Sequence, residues 1–303
     1  MKLHNLRDFI AVARTGGIRA AARELNLSQP AISKSIAQLE TELGTPLFER
    51  SARGSSLNMY GERFLDRAEA VMQELSRGKE EMLQLRGDTG GNVSISASSV
   101  ISLAVLTKAI SRFRKRFPDA HVNISEGSYS ATLRRLRNRN LDFSVGPVPT
   151  AEIADDLFVE HLFNNDRCVI GRRGHPLQSA THLGELMSAE WITTSAVGPN
   201  DDEYREIFEG QGLAPPTSLI KCESLIALIA LLAGTDALAF LPRQWATSEL
   251  ARSILAEIPI TEKIPGPSTC LMRPNGLPLT PAAEALADAI RTVVKSGGID
   301  NSY

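Results

Sequence analysis

The sequence predicts an α/β protein that carries a small all-helical head at its N-terminus. Three observations lead there. Apolar residues recur at helical spacing as far as Leu43 with only short turns between them, one helical pattern then runs from Gly61 to Leu85, and beyond Gly91 strand-like and helix-like runs alternate. At 303 residues the chain holds two or three compact units. With 43% apolar and 22% charged residues it falls in the globular range, which excludes a disordered or collagen-like chain. No apolar h-region with a cleavage site follows Met1, and no stretch approaches the roughly 18 apolar residues of a membrane span. A cytoplasmic protein without a membrane partner is therefore expected. Cys168, Cys222 and Cys270 lie far apart with no CxxC or Cys/His spacing, so buried, reduced thiols are expected and neither a metal nor a cofactor.

The head justifies its elements in order. Leu6, Phe9, Ile10 and Ala13 form one helix, ended at Gly16-Gly17. Ile18 to Leu25 forms the next, with Ala20, Ala21 and Ala22 allowing a close crossing. Asn26-Leu27-Ser28 is a turn in which Ser28 caps a third helix from Gln29, with Pro30 in its first turn. Ile32, Ile36, Leu39 and Leu43 make the apolar stripe of that helix, and Gln29, Ser33, Lys34 and Gln38 lie opposite. Two helices joined by so short a turn, the second presenting polar groups, match a helix-turn-helix entering a major groove. Gln and Ser suit base edges, and Lys suits guanine or phosphate. Pro46 to Arg50 and Arg53 to Leu57 read as a hairpin wing with Arg50 and Arg53 near its tip, placed for the DNA backbone or a minor groove. Net charge is −2 overall. The first sixty residues are nevertheless basic: Lys2, Arg7, Arg14, Arg19, Arg23, Lys34, Arg50 and Arg53 face only Asp8, Glu24, Glu40, Glu42 and Glu49. A three-helix bundle without a DNA role remains the alternative on pattern alone.

The run Ala21 to Arg50, AARELNLSQPAISKSIAQLETELGTPLFER, resembles the signature of LysR-type transcriptional regulators at nearly every defining position. The resemblance implies a winged helix-turn-helix over residues 1–60, with Gln29, Pro30, Ser33, Lys34, Arg50 and Arg53 as DNA contacts. Gly17 and Asn58 stand where that family often has serine and threonine, and both residues are acceptable caps.

From Gly61 onward, Phe64, Ala68, Val71, Leu75, Gly78, Met82 and Leu85 are spaced as a heptad seam, which gives a dimerisation helix over 61–87 and a flexible hinge at 88–91. An amphipathic helix packed on its own domain is the alternative. After the hinge, Val93 to Ala97, Val122 to Ile124 and Leu141 to Val145 alternate with helices. A second series follows with strands at Cys168 to Ile170, Trp191 to Thr193, Leu219 to Cys222 and Leu238 to Leu241, and a long apolar helix from Leu225 to Ala233. Two Rossmann-like α/β lobes with mainly parallel sheets follow, and the resemblance implies that the C-terminal segment returns to the first, giving lobe I at 92–162 and 268–303 and lobe II at 163–267. The resemblance likens this effector domain to type 2 periplasmic binding proteins, with two crossings between lobes and a cleft between them.

Ligands of open α/β sheets collect beyond the carboxyl ends of strands, where helix N-termini offer free amides. Ser98, Ser99, Val100, Ser128, Tyr129, Gly146, Thr194, Ser195, Glu223 and Ser224 occupy such places. Hydroxyls there suit a small organic anion, and Cys222-Glu223-Ser224 is similar to family members that respond to aromatic acids. Plain helix caps are the alternative for each serine and threonine. The resemblance further implies a homodimer or homotetramer bound near a promoter, where RNA polymerase is a candidate partner. An enzyme is disfavoured by the absence of G-x-S-x-G, GxxxxGK[ST], HExxH and glycine-rich dinucleotide motifs, and His175 sits in a polar loop. A solute-binding protein shares the lobes but not the head. Thiol sensing through Cys222 or Cys270 keeps DNA binding and replaces the ligand.

Overall fold

A computed structural model describes residues 1–51, 54–148, 156–194, 201–217, 219–276 and 278–298. The head comprises α1 (Leu3–Thr15), α2 (Ile18–Glu24), α3 (Gln29–Leu43) and the antiparallel hairpin β1 (Phe48–Ser51) and β2 (Gly54–Leu57). α1 ends where Gly16 turns left-handed and returns its amide to Val12. Asn26 takes a left-handed φ of 53° in the turn between α2 and α3, a conformation asparagine tolerates. Ser28 caps α3 by accepting the Ala31 amide at 3.3 Å. The buried Asn5 side chain on α1 donates to Ser35 of α3, to its carbonyl at 3.2 Å and its hydroxyl at 3.1 Å, which fixes how the two helices cross.

Ile32, Ile36 and Leu39 are buried in this core as the spacing predicts. Leu43 is not: 38% of it stays exposed, because α3 outruns the core and ends at Gly44. Phe9 forms the centre, fully buried between Phe48 of the wing at 5.5 Å and Phe64 at 5.4 Å, between ring centroids.

Phe64 belongs to α4 (Met59–Leu85), whose N-terminus Asn58 caps by accepting the Tyr60 and Gly61 amides while donating to the Pro46 carbonyl. At Gly61 a Cβ would stand 2.2 Å from the Leu47 carbonyl oxygen, so only glycine lets the helix pass the wing this closely.

Lobe I begins with β3 (Asn92–Ala97). It continues through α5 (Ser99–Ile101), a π-helical turn (Ser102–Leu106), α6 (Thr107–Phe113), β4 (His121–Ser125), α7 (Tyr129–Arg137), β5 (Phe143–Pro147) and β6 (Leu157–Asn164). Lobe II holds β7 (Arg167–Arg172), β8 (Trp191–Thr193), α8 (Asp201–Glu209), β9 (Leu219–Lys221), α9 (Leu225–Gly234), β10 (Leu238–Pro242), α10 (Gln244–Thr247) and β11 (Leu255–Ile258). Then β12 (Ser268–Pro274) and α11 (Pro281–Val293) return to lobe I. The sheets run β4-β3-β5-β12-β6 and β9-β8-β10-β7-β11, the same plan twice. Both are mixed rather than mainly parallel. β12 is antiparallel to both its neighbours in one, and β7 in the other.

β6 runs to Asn164, so the first crossing falls at residues 165–166, two residues later than the sequence suggests. The second spans 259–267. The crossings lie side by side: the Arg167 amide donates to Ile264, and a Cβ on Gly266 would fall 1.9 Å from the Asn165 carbonyl oxygen.

The stretch expected as a hinge carries hydrogen bonds to distant parts of the chain. Gln84, buried near the end of α4, accepts the Ala282 amide of α11 at 3.0 Å and donates to the Gly90 carbonyl at 3.0 Å. Glu80 accepts from both nitrogens of Asn92 at 2.9 Å, and the His121 amide donates to Gly91 at 2.8 Å. One turn before Glu80, Arg77 meets Asp142 of lobe I at 3.0 Å and donates to the Arg139 carbonyl at 2.8 Å, and about three turns before that Asp66 accepts from Asn138 at 2.8 Å. Backbone partners distant in sequence thus hold a stretch whose glycines alone suggest freedom.

Burial pushes the Asp142 carboxyl above its ordinary range, although Arg77 and the Ser94 amide, at 2.7 Å, pull the other way. A carboxyl with a raised folded pKa takes its proton more readily when folded than unfolded. The stabilisation Asp142 contributes therefore grows as pH falls through that raised pKa. Asp142→Ala should cost about 1–3 kcal/mol in urea unfolding at neutral pH, the cost of orphaning buried hydrogen-bonding groups. That deficit should widen on acidification, and a deficit that shrinks instead would show that the ion pair outweighs burial.

Candidate DNA interface and effector cleft

Gln29, Pro30, Ser33, Lys34 and Gln38 all lie exposed along one side of α3, while Ile32, Ile36 and Leu39 on the other are buried. The polar groups that could read base edges thus share one open face, fixed in register by the Ser28 cap and the Asn5–Ser35 contact. Beside it the Ser55 amide of β2 donates to the Gly16 carbonyl, and Glu40 of α3 accepts the Leu47 amide at 2.7 Å, so the wing is tied to both α1 and α3. Arg50 lies on β1 of this hairpin. Arg53 lies outside the described residues.

The seam of α4 divides. Phe64 and Ala68 are corrected from dimer contacts to head core: Ala68 is 1% exposed, and Phe64 packs on Phe9. Three short helices do not shield the head core by themselves, and the first three turns of α4 complete it. The remaining seam is open, with Val71 46%, Leu75 36% and Met82 54% exposed. Gly78 lies between them with nothing within 4 Å of where its Cβ would be.

In lobe I the chain goes from β3 outward to β4 and returns past β3 to β5, so the switch in strand order lies between β3 and β5. Ser98 and Gly146 stand at that point. The Ser98 amide donates to Val145, and a Cβ on Gly146 would sit 3.3 Å from that of Ser98. The Ser98 hydroxyl is buried without a hydrogen-bond partner among the described residues, as is that of Ser144 on β5. Val100 is corrected: its side chain is 3% exposed and packs into the core, because the helix turns that face onto the sheet. Ser128 caps α7 through the Ala131 amide, and Tyr129 packs toward the cluster around Leu136 and Met272.

Lobe II repeats the switch between β8 and β10. Thr194 follows β8. The Cys222 amide donates to Thr193 and its thiol to the Ser224 carbonyl, which groups Thr194, Glu223 and Ser224 at one end of the lobe. Ser224 caps α9 through the Ala227 amide at 3.4 Å. Ser195 lies outside the described residues.

Three further residues bear on these sites, and only Arg243 escapes sequence reasoning: Glu126 follows a strand within the run Ser125 to Tyr129, and His175 is legible as a loop residue with a packing role. Glu126, after β4, accepts from the Ser99 backbone amide, and burial raises its pKa against that hydrogen bond. A resident carboxylate thus stands where an anion would approach the start of α5. Arg243, following β10 at the lobe II switch, meets Glu257 at 2.8 Å. The strand-order rule locates it once the sheet order is known, but a lone arginine after a proline gives no signal in sequence. His175 is 2% exposed: its Nδ1 accepts the Leu177 amide and its Nε2 faces the Asp236 carbonyl, each at 3.0 Å, so it pins a loop.

Cys168, Cys222 and Cys270 are all buried. Desolvation pushes the Cys168 thiol up to about 12 and raises that of Cys270. No group of three metal-ligating side chains occurs among the described residues, and no helix of theirs is long and apolar enough to cross a membrane.

A polar-faced recognition helix with a wing, joined by a long helix to two α/β lobes of matching plan, defines a DNA-binding regulator with an effector-binding domain. The comparisons agree: residues 3–62 match the bacterial regulatory helix-turn-helix family of lysR type, and residues 86–295 match the LysR substrate binding domain. The chain belongs to the LysR family of transcriptional regulators, which are not enzymes. It is 30% identical over 293 residues to the regulator GalR of Pseudomonas putida, covering 95% of this chain and 73% of that one. It is also 30% identical over 299 residues to PcaQ of Agrobacterium fabrum, covering 96% and 94%. Among solved structures it superposes on CbnR, a LysR family regulator, with a TM-score of 0.69 at 21% identity over 97% of this chain and 99% of that one. Full-length BenM gives 0.56 at 22% over 99% and 98%.

Buried cysteines should resist iodoacetamide in the native protein near neutral pH and react only after unfolding, as read by intact mass. Rapid native modification of Cys222 or Cys270 would instead favour regulation by thiol oxidation.

Proposed function

We propose that this regulator binds operator DNA through α3 and the wing as a dimer, or a tetramer of two dimers, and that a small organic anion between its lobes controls transcription. The observation that carries the DNA half is the exposed row Gln29, Ser33, Lys34 and Gln38 backed by a buried apolar stripe. CbnR, whose fold this chain shares, has been solved in complex with its target DNA. In this reading Arg50 and Arg53 hold phosphate or minor groove, and RNA polymerase is met at the promoter.

The exposed stripe of Val71, Leu75, Gly78 and Met82 favours pairing of two chains along α4, which sets two heads at two half-sites. The effector half rests on Ser98, Gly146, Thr194 and Ser224 lying at strand ends where helices begin. Ser99 and Ser128 line the lobe I side, with Tyr129 at its back, and Ser195 and Glu223 the lobe II side. Glu126 must yield the Ser99 amide to an incoming carboxylate or share a proton with it.

The residues on which this depends are directly testable. Ser33→Ala and Lys34→Ala should each reduce discrimination between operator and random duplex by about 1–3 kcal/mol, with weaker salt dependence for Lys34→Ala, in fluorescence anisotropy. Unchanged selectivity would refute the assigned recognition helix. Leu75→Asp should shift sedimentation toward the monomer and reduce operator affinity without lowering the Tm of the head; an unaltered sedimentation coefficient would place the chain contact elsewhere. For the effector, a thermal-shift screen of aromatic and aliphatic acids on the full chain should find one that raises Tm saturably and loses that effect in Ser98→Ala. Failure of every acid to raise Tm saturably, or a hit indifferent to Ser98, would overturn the anion reading.

A further inference from the structure

A cavity of about 650 Å³ lies away from the cleft, between α4 and the edge of lobe I. One wall is a single face of α4: Arg63, Asp66, Arg67 and Ala70, spaced so that they share a side of the helix. The other wall is the end of α7 with the turn after it, the start of β6 and the end of β12. Four guanidinium groups, of Arg63, Arg67, Arg137 and Arg139, face two carboxylates, of Asp66 and Asp156.

The carboxylates are already engaged. Asp156 takes both nitrogens of Arg137, at 2.7 and 3.2 Å, and Asp66 accepts from Asn138 at 2.8 Å. Arg139 donates to the Asn275 carbonyl at 3.3 Å and stands 3.6 Å from Glu74. Among the described residues no carboxylate lies in ion-pair range of Arg63 or Arg67, so the cavity keeps an unbalanced positive charge where two elements meet.

The backbone adds to this. Arg139 closes α7 with a left-handed φ of 59°, a place where glycine is the usual choice, and its amide returns to the Leu136 carbonyl. A side chain tolerated there at a cost in strain puts its guanidinium at the cavity wall.

We propose that this cavity is a second anion site, taking a small ligand with at least two negatively charged oxygen groups of phosphate or carboxylate type. Arg63 and Arg67 hold it from the α4 side, and the Arg137–Asn138–Arg139 turn holds it from lobe I. Guanidinium forks match such oxygens in paired hydrogen bonds. A ligand spanning both walls ties the helix that carries the head to lobe I without entering the inter-lobe cleft. The site therefore stands whether or not the cleft binds an organic acid.

The test is isothermal titration of the full-length protein with inorganic pyrophosphate at physiological ionic strength, with citrate in a parallel arm to separate phosphate from carboxylate preference. Saturable binding of either probe is expected, weakened about tenfold or more by Arg67→Gln and by Arg63→Gln, the loss of one charge-assisted hydrogen bond. Arg112→Gln, on an exposed face of α6, should leave it unchanged. Hydrogen exchange of the Asn138–Arg139 turn should slow with the probe in the wild type and not in Arg67→Gln. Both arginines are exposed on α4, so folding is not at stake, and an unchanged thermal melt checks this. No saturable binding, equal affinity in the variants, or variants that weaken operator binding while neither probe binds would overturn the proposal; the last outcome would assign these guanidinium groups to DNA phosphates.

Discussion

The architecture depends on α4 being held at both ends by different kinds of contact. Its first turns are apolar and finish the head core through Phe64 and Ala68. From Asp66 onward the grip on lobe I is polar, through Asn138, Arg77 with Asp142, Glu80 with Asn92, and finally Gln84 with Ala282. At 27 residues the helix is a rod of about 40 Å. A head rigidly attached to such a rod moves wherever the rod is aimed, and the aim is set by hydrogen bonds and ion pairs rather than by packing.

That division has a functional consequence. Apolar burial resists partial change, whereas a polar joint can be remade at small net cost, because water or a new partner replaces each lost bond. The exposed row of Val71, Leu75 and Met82 runs along the same stretch as Arg77 and Glu80 but on a different face of the helix, so the proposed pairing of chains would leave the aiming contacts untouched. Lobe II joins lobe I through two crossings held together at Arg167, Ile264 and Gly266, and through an apolar contact in which α10 packs against the π-helical turn of lobe I. A change in lobe closure therefore passes through lobe I before it can reach α4, and from there it acts through the polar joint.

Much of the head is legible in the sequence because its signals are local. Asn26 in the turn, Ser28 as cap, Pro30 in the first turn and the stripe at Ile32, Ile36 and Leu39 each speak for themselves. The seam of α4 is legible as a period but not as an assignment, since spacing does not say whether Phe64 meets its own head or another chain. The sheets are less legible. β7 and β12 look like any other short apolar run, and their antiparallel sense depends on where the chain crosses between lobes. At residues 88–91 the glycines are legible, but the hydrogen-bond partners around them, His121 and Ala282, lie far along the chain and are not. At the effector site, Ser98, Glu126 and Gly146 are legible from strand ends, whereas Arg243 needs the sheet order. The arginine cavity brings together positions from 63 to 275 and has no local pattern at all.

The decisive measurement is the distance distribution between spin labels on the head and on lobe I, with Arg23→Cys and Arg116→Cys labelled in chains diluted among unlabelled ones, since both positions are exposed and the native cysteines are buried. If the polar joint aims the head, introducing Asp142→Ala broadens or displaces the distribution seen with the intact joint. An identical distribution with and without Asp142 would contradict it, and would mean that something other than these contacts sets where the DNA-binding head points.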